Sequence, residues 1–336
     1  MAKTEENGIE SATTYEEAVL MWKAERTTLG RVQPYTAERA AQKALLFRPW
    51  IGDMPLGAIG SENISEALIA LGTFGGRSGS GLSSATLRAA HIAGSQVFEW
   101  ATTRGLVKAN AFEGVGRPRA NYRSSRFLTM EQARELTVQM GGEAHACMEK
   151  ADVRGTSFAL AACIAVATGL RRGEIFALEW NDVNFEAGRV SVSKAIKGGG
   201  EVGEPKSSSG IRSVAVGKGL AHLLGEVRVW QNGTLSDRRW PKRQWSICDA
   251  TGARASMNAF EHWWRRWADE NGWEGLRFHE LRHTHATLLI ADGVDVKTVQ
   301  LRLGHSSADI TMSCYAHALP LSDGMAAATL DEKLFV

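Results

Sequence analysis

The chain has 336 residues, of which 44% are hydrophobic and 23% charged, with a formal net charge of +2. That length suffices for two domains with separate cores, the composition is that of a soluble globular protein, and the near-neutral total is by itself no evidence for nucleic acid. Cys147, Cys163, Cys248 and Cys314 are scattered without a CxxC pair, which excludes a thiolate zinc site and a disulfide frame and points to a reduced cytoplasmic setting. The start of the chain is polar and charged (Lys3, Glu5, Glu6), unlike a secretory signal. The longest apolar run, Phe158 to Leu170, is too short to span a bilayer and ends in two arginines, so it predicts a buried helix and no membrane partner. The distribution of charge matters more than its sum. Arg117, Arg119, Arg123 and Arg126 crowd one short segment, and Arg238, Arg239, Lys242 and Arg243 another. Such clusters can track a phosphate backbone, or can simply be solvated.

Residues 1–12 read as a flexible lead. Thr14 and Glu17 have capping-box spacing and open a helix carrying Ala18, Leu20, Met21 and Trp22. Thr36 is expected to cap a second helix through Phe47, and a third follows Asn63 with Ile64, Ala67, Leu68 and Leu71 on one face. Gly72 to Gly81 reads as a mobile turn, and Ser84 opens a long helix through Thr103. The Gly-, Pro- and Arg-containing stretch that follows reads as a linker, and Thr129 caps the first helix of a second domain, helical through Leu178. The β-branched alternation of Val190–Val192 and Ser213–Val216 predicts a small sheet. Helices resume at Leu220–Trp230 and at Ser256–Glu270, where Phe260, Trp263, Trp264 and Trp267 fall on one face and read as core.

Two local patterns compete for attention. His279-Glu280-Leu281-Arg282-His283 matches HExxH, the pairing of two histidines one helical turn apart for zinc with glutamate as base. It places a fixed cation inside the motif and names no third ligand, so a zinc hydrolase is the weak alternative and no metal or other cofactor is expected. Gly198 to Gly203 spells GxGxxG, but Pro205, Lys206 and serines follow where a dinucleotide site needs a helix, so it reads as a hairpin loop.

The remaining constellation is an ordered set: Thr168-Gly169-Leu170-Arg171 with Glu174 three residues on, Pro205-Lys206-Ser207 before Arg212-Ser213-Val214, then His279 to His283, Leu303-Gly304-His305, and Tyr315. Two arginines, imidazoles and a phenol suit an anionic phosphodiester attacked by an oxygen nucleophile. In that order and spacing the chain resembles the tyrosine recombinases, the phage-integrase type of site-specific DNA recombinase, from about residue 14 to residue 318. Some phage integrases carry a further arm-binding domain ahead of the helical one, for which the stretch before the first helix has no room.

The resemblance implies a mainly α fold with a small antiparallel sheet: a helical SAM-like core-DNA-binding domain at 13–116, a basic linker at 117–126, a catalytic domain at 127–318, and a tail at 319–336 expected to pack on a neighbouring protomer, docking on its own domain being the alternative. It implies Tyr315 as nucleophile, Arg171 and Arg282 on the phosphate, Lys206 as proton donor to the leaving oxygen (with Lys194 and Lys197 close by as alternatives), His279 and His305 as hydrogen-bonding and proton-accepting groups, and Glu174 as an orienting residue. Arg88, Arg117, Arg119, Arg123 and Arg126 are expected to touch DNA. The implied partners are double-stranded attachment sites and three further copies of the chain on DNA, with a monomer in free solution; whether an accessory directionality factor takes part is left open by the sequence. A type IB topoisomerase uses the same chemistry and is the nearer alternative; a non-catalytic DNA-binding module with this fold is another.

Overall fold

The computed structural model describes residues 13–76, 79–120, 126–205, 208–235, 244–307, 324, 328 and 331–334. It divides into two compact units, Met1–Arg123 and Ser124–Val336. The described residues include no helix long and apolar enough to cross a membrane.

The first unit is helical: α1 (Tyr15–Thr28), α2 (Pro34–Ala44), α3 (Arg48–Ile51), α4 (Ser61–Phe74) and α5 (Ser84–Thr103). The Thr14–Glu17 capping box forms as the spacing predicts. The face of α1 that packs is Tyr15, Ala18, Val19 and Trp22, whereas Leu20 and Met21 are exposed at 45% and 49%. Thr36 caps nothing. Gln33 is the cap residue and Pro34 takes the first turn, where its missing N–H costs no bond. Asn63 lies inside α4 and accepts from the Gly60 N–H, so that helix starts at Ser61. The helix runs on through Phe74 into what reads as a turn, and Ser83, one residue earlier than expected, caps α5. The core joins Tyr15, Phe47, Phe98 and Phe112, and the Tyr15 hydroxyl donates to the Ala44 carbonyl.

The second unit contains α6 (Met130–Glu149), α7 (Val153–Thr168), α8 (Arg172–Ile175), α9 (Lys218–Thr234), α10 (Met257–Glu270), α11 (Phe278–Ala291) and α12 (Val296–Leu303). Strands β1 (Val183–Asn184), β2 (Arg189–Val192) and β5 (Arg212–Ala215) form one antiparallel sheet in that order, while β3 (Ala195–Ile196) and β4 (Val202–Gly203) form a hairpin. Ser191 pairs with Ser213, so Val190, Val192 and Val214 share the buried face. The GxGxxG stretch is the turn of the β3–β4 hairpin: Lys197 N–H donates to the Glu201 carbonyl and Gly200 sits at φ +86°.

Helix α7 is buried on nearly every side, as its unbroken apolar run requires. Phe260, Trp264 and Trp267 of α10 are buried beside it with Phe158, Phe176 and Phe278, and Trp263 is partly buried. That stripe is therefore core. Trp245 packs with Val153, Leu235 and Cys248 in a smaller cluster.

Candidate active site

Helix α7 ends at Gly169, whose φ of +66° is the left-handed conformation that glycine adopts without strain. A side chain there would also strike the ring of His285 and the Leu303 side chain. The turn that follows delivers Arg171 and Glu174. Helix α12 ends the same way at Gly304, φ +68°, where a Cβ would meet the Ser209 carbonyl at 2.9 Å and the Arg212 guanidinium. Glycine is thus required at both turns for reach as well as for conformation.

The candidate arginines bind these two turns together. The Arg171 Nη2 donates to the Gly304 carbonyl at 3.0 Å. Arg282, only 4% exposed, donates from Nη1 to the Gly169 carbonyl and from Nη2 to the Leu303 carbonyl, at 2.7 and 2.8 Å. His305 is fixed through its backbone, its carbonyl accepting from Gln300 Nε2 at 3.1 Å. Arg171, Glu174, His279, Arg282 and His305 line one cavity of about 800 Å3, with Lys197, Pro205 and His283 also on its wall.

Glu174 is buried and spends both oxygens on cations and an N–H. It accepts from the Arg171 backbone and side chain, and from Arg212 Nη1 and Nη2 at 3.1 and 2.8 Å. Burial opposes its ionisation, but the hydrogen bonds and charge of Arg212, with those of Arg171, hold its carboxyl below the usual range. His305 is pushed down to about 4 by burial first and then by Arg282 and Arg171. His279 faces the open cavity, so water still reaches it; partial burial and the nearby His283, Arg282 and Arg277 hold it below its ordinary value. Both shifts favour the neutral ring at pH 7 and make each imidazole a weaker base than a free one.

The HExxH reading fares poorly in space. His279 and His283 do meet, with ring centroids 4.9 Å apart. Glu280, however, is taken by the Arg277 guanidinium and by the backbone N–H of Arg277 and Arg126.

Lys206 and Tyr315 lie outside the described residues, as does Arg123. Of the alternative lysines, Lys194 is ion-paired with Glu179 and Asp182, whereas Lys197 lies in the hairpin turn at the cavity wall. Arg117 and Arg119 are exposed. Arg88 is half-buried and donates to the Pro118 carbonyl, and the Arg126 guanidinium donates to the Glu274 carbonyl.

Sequence reasoning missed three residues of this network. Arg212 reaches the Arg171 turn through Glu174 and donates from Nε to the Arg302 carbonyl at 2.7 Å. Arg302 and His285 join the same turns from behind. The arginine opening the Arg-x-Val strand was a visible signal for the first; nothing local marked the other two.

A sequence model described as phage integrase family matches residues 127–321. The chain is 29% identical over 188 residues to the ICEBs1 integrase of Bacillus subtilis strain 168, covering 51% of this chain and 48% of that protein. It is 30% identical over 193 residues to the XerC-like tyrosine recombinase of Caldanaerobacter subterraneus subsp. tengcongensis, covering 52% and 48%. It thus spans about half the length of these relatives. Its fold is similar to that of the Tn1549 transposon integrase solved with transposon right end DNA, with a TM-score of 0.69 at 20% identity over 96% of this chain and 100% of that one.

Proposed function

The chain belongs to the phage integrase family, and from that membership we propose that it is a site-specific DNA recombinase that breaks and rejoins strands through a 3′-phosphotyrosine. The observation that carries this reading is the convergence of Arg171, Arg282, His279 and His305 on one cavity, where the buried carboxylate on its wall, Glu174, is already neutralised by Arg212 and Arg171.

The Tyr315 hydroxyl attacks phosphorus, the bond to the 5′ oxygen breaks, and the phosphate stays on tyrosine. Its proton passes to a neutral imidazole, His279 or His305, and Lys206 supplies a proton to the leaving 5′ oxygen. Arg171 and Arg282 meet the non-bridging oxygens, which gain charge as phosphorus becomes five-coordinate. Their anchoring to the two turns means little reorganisation is needed at that moment, and each fixed donor is worth on the order of 3 kcal/mol. A second 5′-hydroxyl then reverses the attack without hydrolysis of a nucleotide.

Residues 13–116 serve as the core-DNA-binding domain, 117–126 as a basic linker, 127–318 as the catalytic domain, and 319–336 as a tail docking on a neighbouring protomer. Arg88, Arg117, Arg119, Arg123 and Arg126 contact DNA. The protein acts in the cytoplasm as a tetramer on paired attachment sites.

A nicked suicide DNA duplex tests the reading. Wild-type protein is expected to form an SDS-resistant adduct in the presence of EDTA, and Tyr315→Phe to bind the duplex without forming one. An adduct from Tyr315→Phe removes the nucleophile assignment. Dependence on a divalent ion removes the arginine-based mechanism and revives the zinc alternative.

A further inference from the structure

Behind the cavity, four segments meet at two side chains that the mechanism does not use. Arg302, in the last turn of α12, donates from Nε to His285 Nε2 at 2.9 Å, and from Nη2 to the Ala167 carbonyl at 3.1 Å and the Ala215 carbonyl at 3.0 Å. The other nitrogen of His285, Nδ1, lies 2.8 Å from the Val166 carbonyl. Since a carbonyl only accepts, Nδ1 carries the proton. Nε2 is then the lone-pair acceptor that Arg302 needs, so one tautomer satisfies both contacts.

These contacts join the ends of the elements that present the site. Val166 and Ala167 close α7 just ahead of the Arg171 turn. His285 stands three residues, nearly one helical turn, beyond Arg282 on α11. Arg302 is three residues before His305, and Ala215 ends the strand that follows the Lys206 segment. Gly169 completes the assembly, because a side chain there would overlap the His285 ring.

The energetics argue against simple packing. Among the described residues, Arg302 bonds only to neutral acceptors, and it shares its surroundings with Arg189 and Arg212, whose charges oppose its own. A half-buried cation without a carboxylate is costlier than an apolar side chain of similar volume. Its planar fork is what an apolar group cannot supply: three directed donors reaching three separate segments.

We propose that His285 and Arg302 form a positioning strut that sets the mutual placement of Arg171, Arg282 and His305, a role resting on the strand-transfer reading above. Neither residue touches DNA. The strut holds the two glycine turns at the spacing at which both arginines meet one phosphate, and it ties that spacing to β5.

The test combines single-turnover adduct formation on the suicide duplex at saturating protein with binding measured separately by mobility shift. His285→Leu removes the acceptor at similar volume. It is expected to slow adduct formation by about 100-fold, the effect of misplacing reacting groups by an ångström, with little change in affinity. His285→Gln, which keeps one acceptor and one donor, is expected to restore most of the rate. Arg302→Lys keeps the charge and loses the fork, and is expected to behave like His285→Leu. Full activity in Arg302→Lys overturns the strut in favour of a purely electrostatic role. Affinity and rate falling together in His285→Leu, without rescue by glutamine, overturns it in favour of general folding. Nitrogen-15 NMR of the labelled wild-type protein is independent of every variant: Nδ1 protonated and Nε2 accepting supports the strut, and the reverse tautomer overturns it. If wild-type protein binds DNA and forms no adduct, the strand-transfer reading falls, and the tautomer result still decides the strut's geometry.

Discussion

Glu174 and Arg212 form a buried pair that leaves Arg171 only partly engaged. The Glu174 side chain is 2% exposed and that of Arg212 8%, whereas Arg171 keeps 42% of its side-chain surface. Arg212 meets most of the cost of burying the carboxylate, so Arg171 contributes one Nη to it and has donors left over. Replacing Arg212 with alanine strands a buried charge, a change that typically costs about 3–5 kcal/mol. The expected result is a lowered chemical-denaturation midpoint in Arg212→Ala, partly recovered by the double variant with Glu174→Gln, which removes the charge left unpaired. A double variant no more stable than Arg212→Ala would mean that Glu174 gains little from this pairing.

At the scale of elements, the site depends on how two helices end. Helices α7 and α12 both stop at glycines with positive φ, and the arginines hydrogen-bond to the carbonyls those endings expose. Gly304→Ala adds about 1–2 kcal/mol of left-handed strain, and its methyl would press on the Ser209 carbonyl. It is expected to lower the thermal midpoint and to cut adduct formation more than Gly217→Ala, at a helix cap where a Cβ meets nothing within 4 Å. Equal losses in the two variants would remove the special status of the turn. The Thr-Gly and Leu-Gly-His spellings were legible in sequence because such endings leave few residue choices. Their mutual hydrogen bonding was not, since Arg171 and Gly304 are 133 residues apart. Element boundaries slipped where several caps competed: Thr36 lost to Gln33–Pro34, and Asn63 became an internal cap partner for Gly60.

For the molecule as a whole, acid sensitivity follows from its buried imidazoles. Burial pushes His285 and His305 down to about 4, against 6.5 for the free side chain. Between those values the unfolded chain binds more protons than the folded one, so stability is complete above about pH 6.5, falls as the pH drops, and levels off below about 4. A thermal midpoint unchanged from about pH 7 to pH 5 would contradict this. The basic segment belongs to the same scale. Arg117 and Arg119 are exposed. Neutralising them together with Arg123 is expected to flatten the salt dependence of DNA binding by up to about three units of log–log slope. An unchanged slope would mean that they are only solvated.

The sequence by itself determined the residue types of the site, their order, the helical character of both units, and the burial of α7 and α10. Those follow from periodicity, capping and glycine chemistry, which act over a few residues. Only the tertiary structure decided that Arg212 completes Glu174, that Glu280 receives the Arg126 backbone N–H, and that His285 and Arg302 meet behind the cavity. An arginine's partner depends on which carbonyls and carboxylates folding brings within about 3 Å, and no local pattern encodes that meeting.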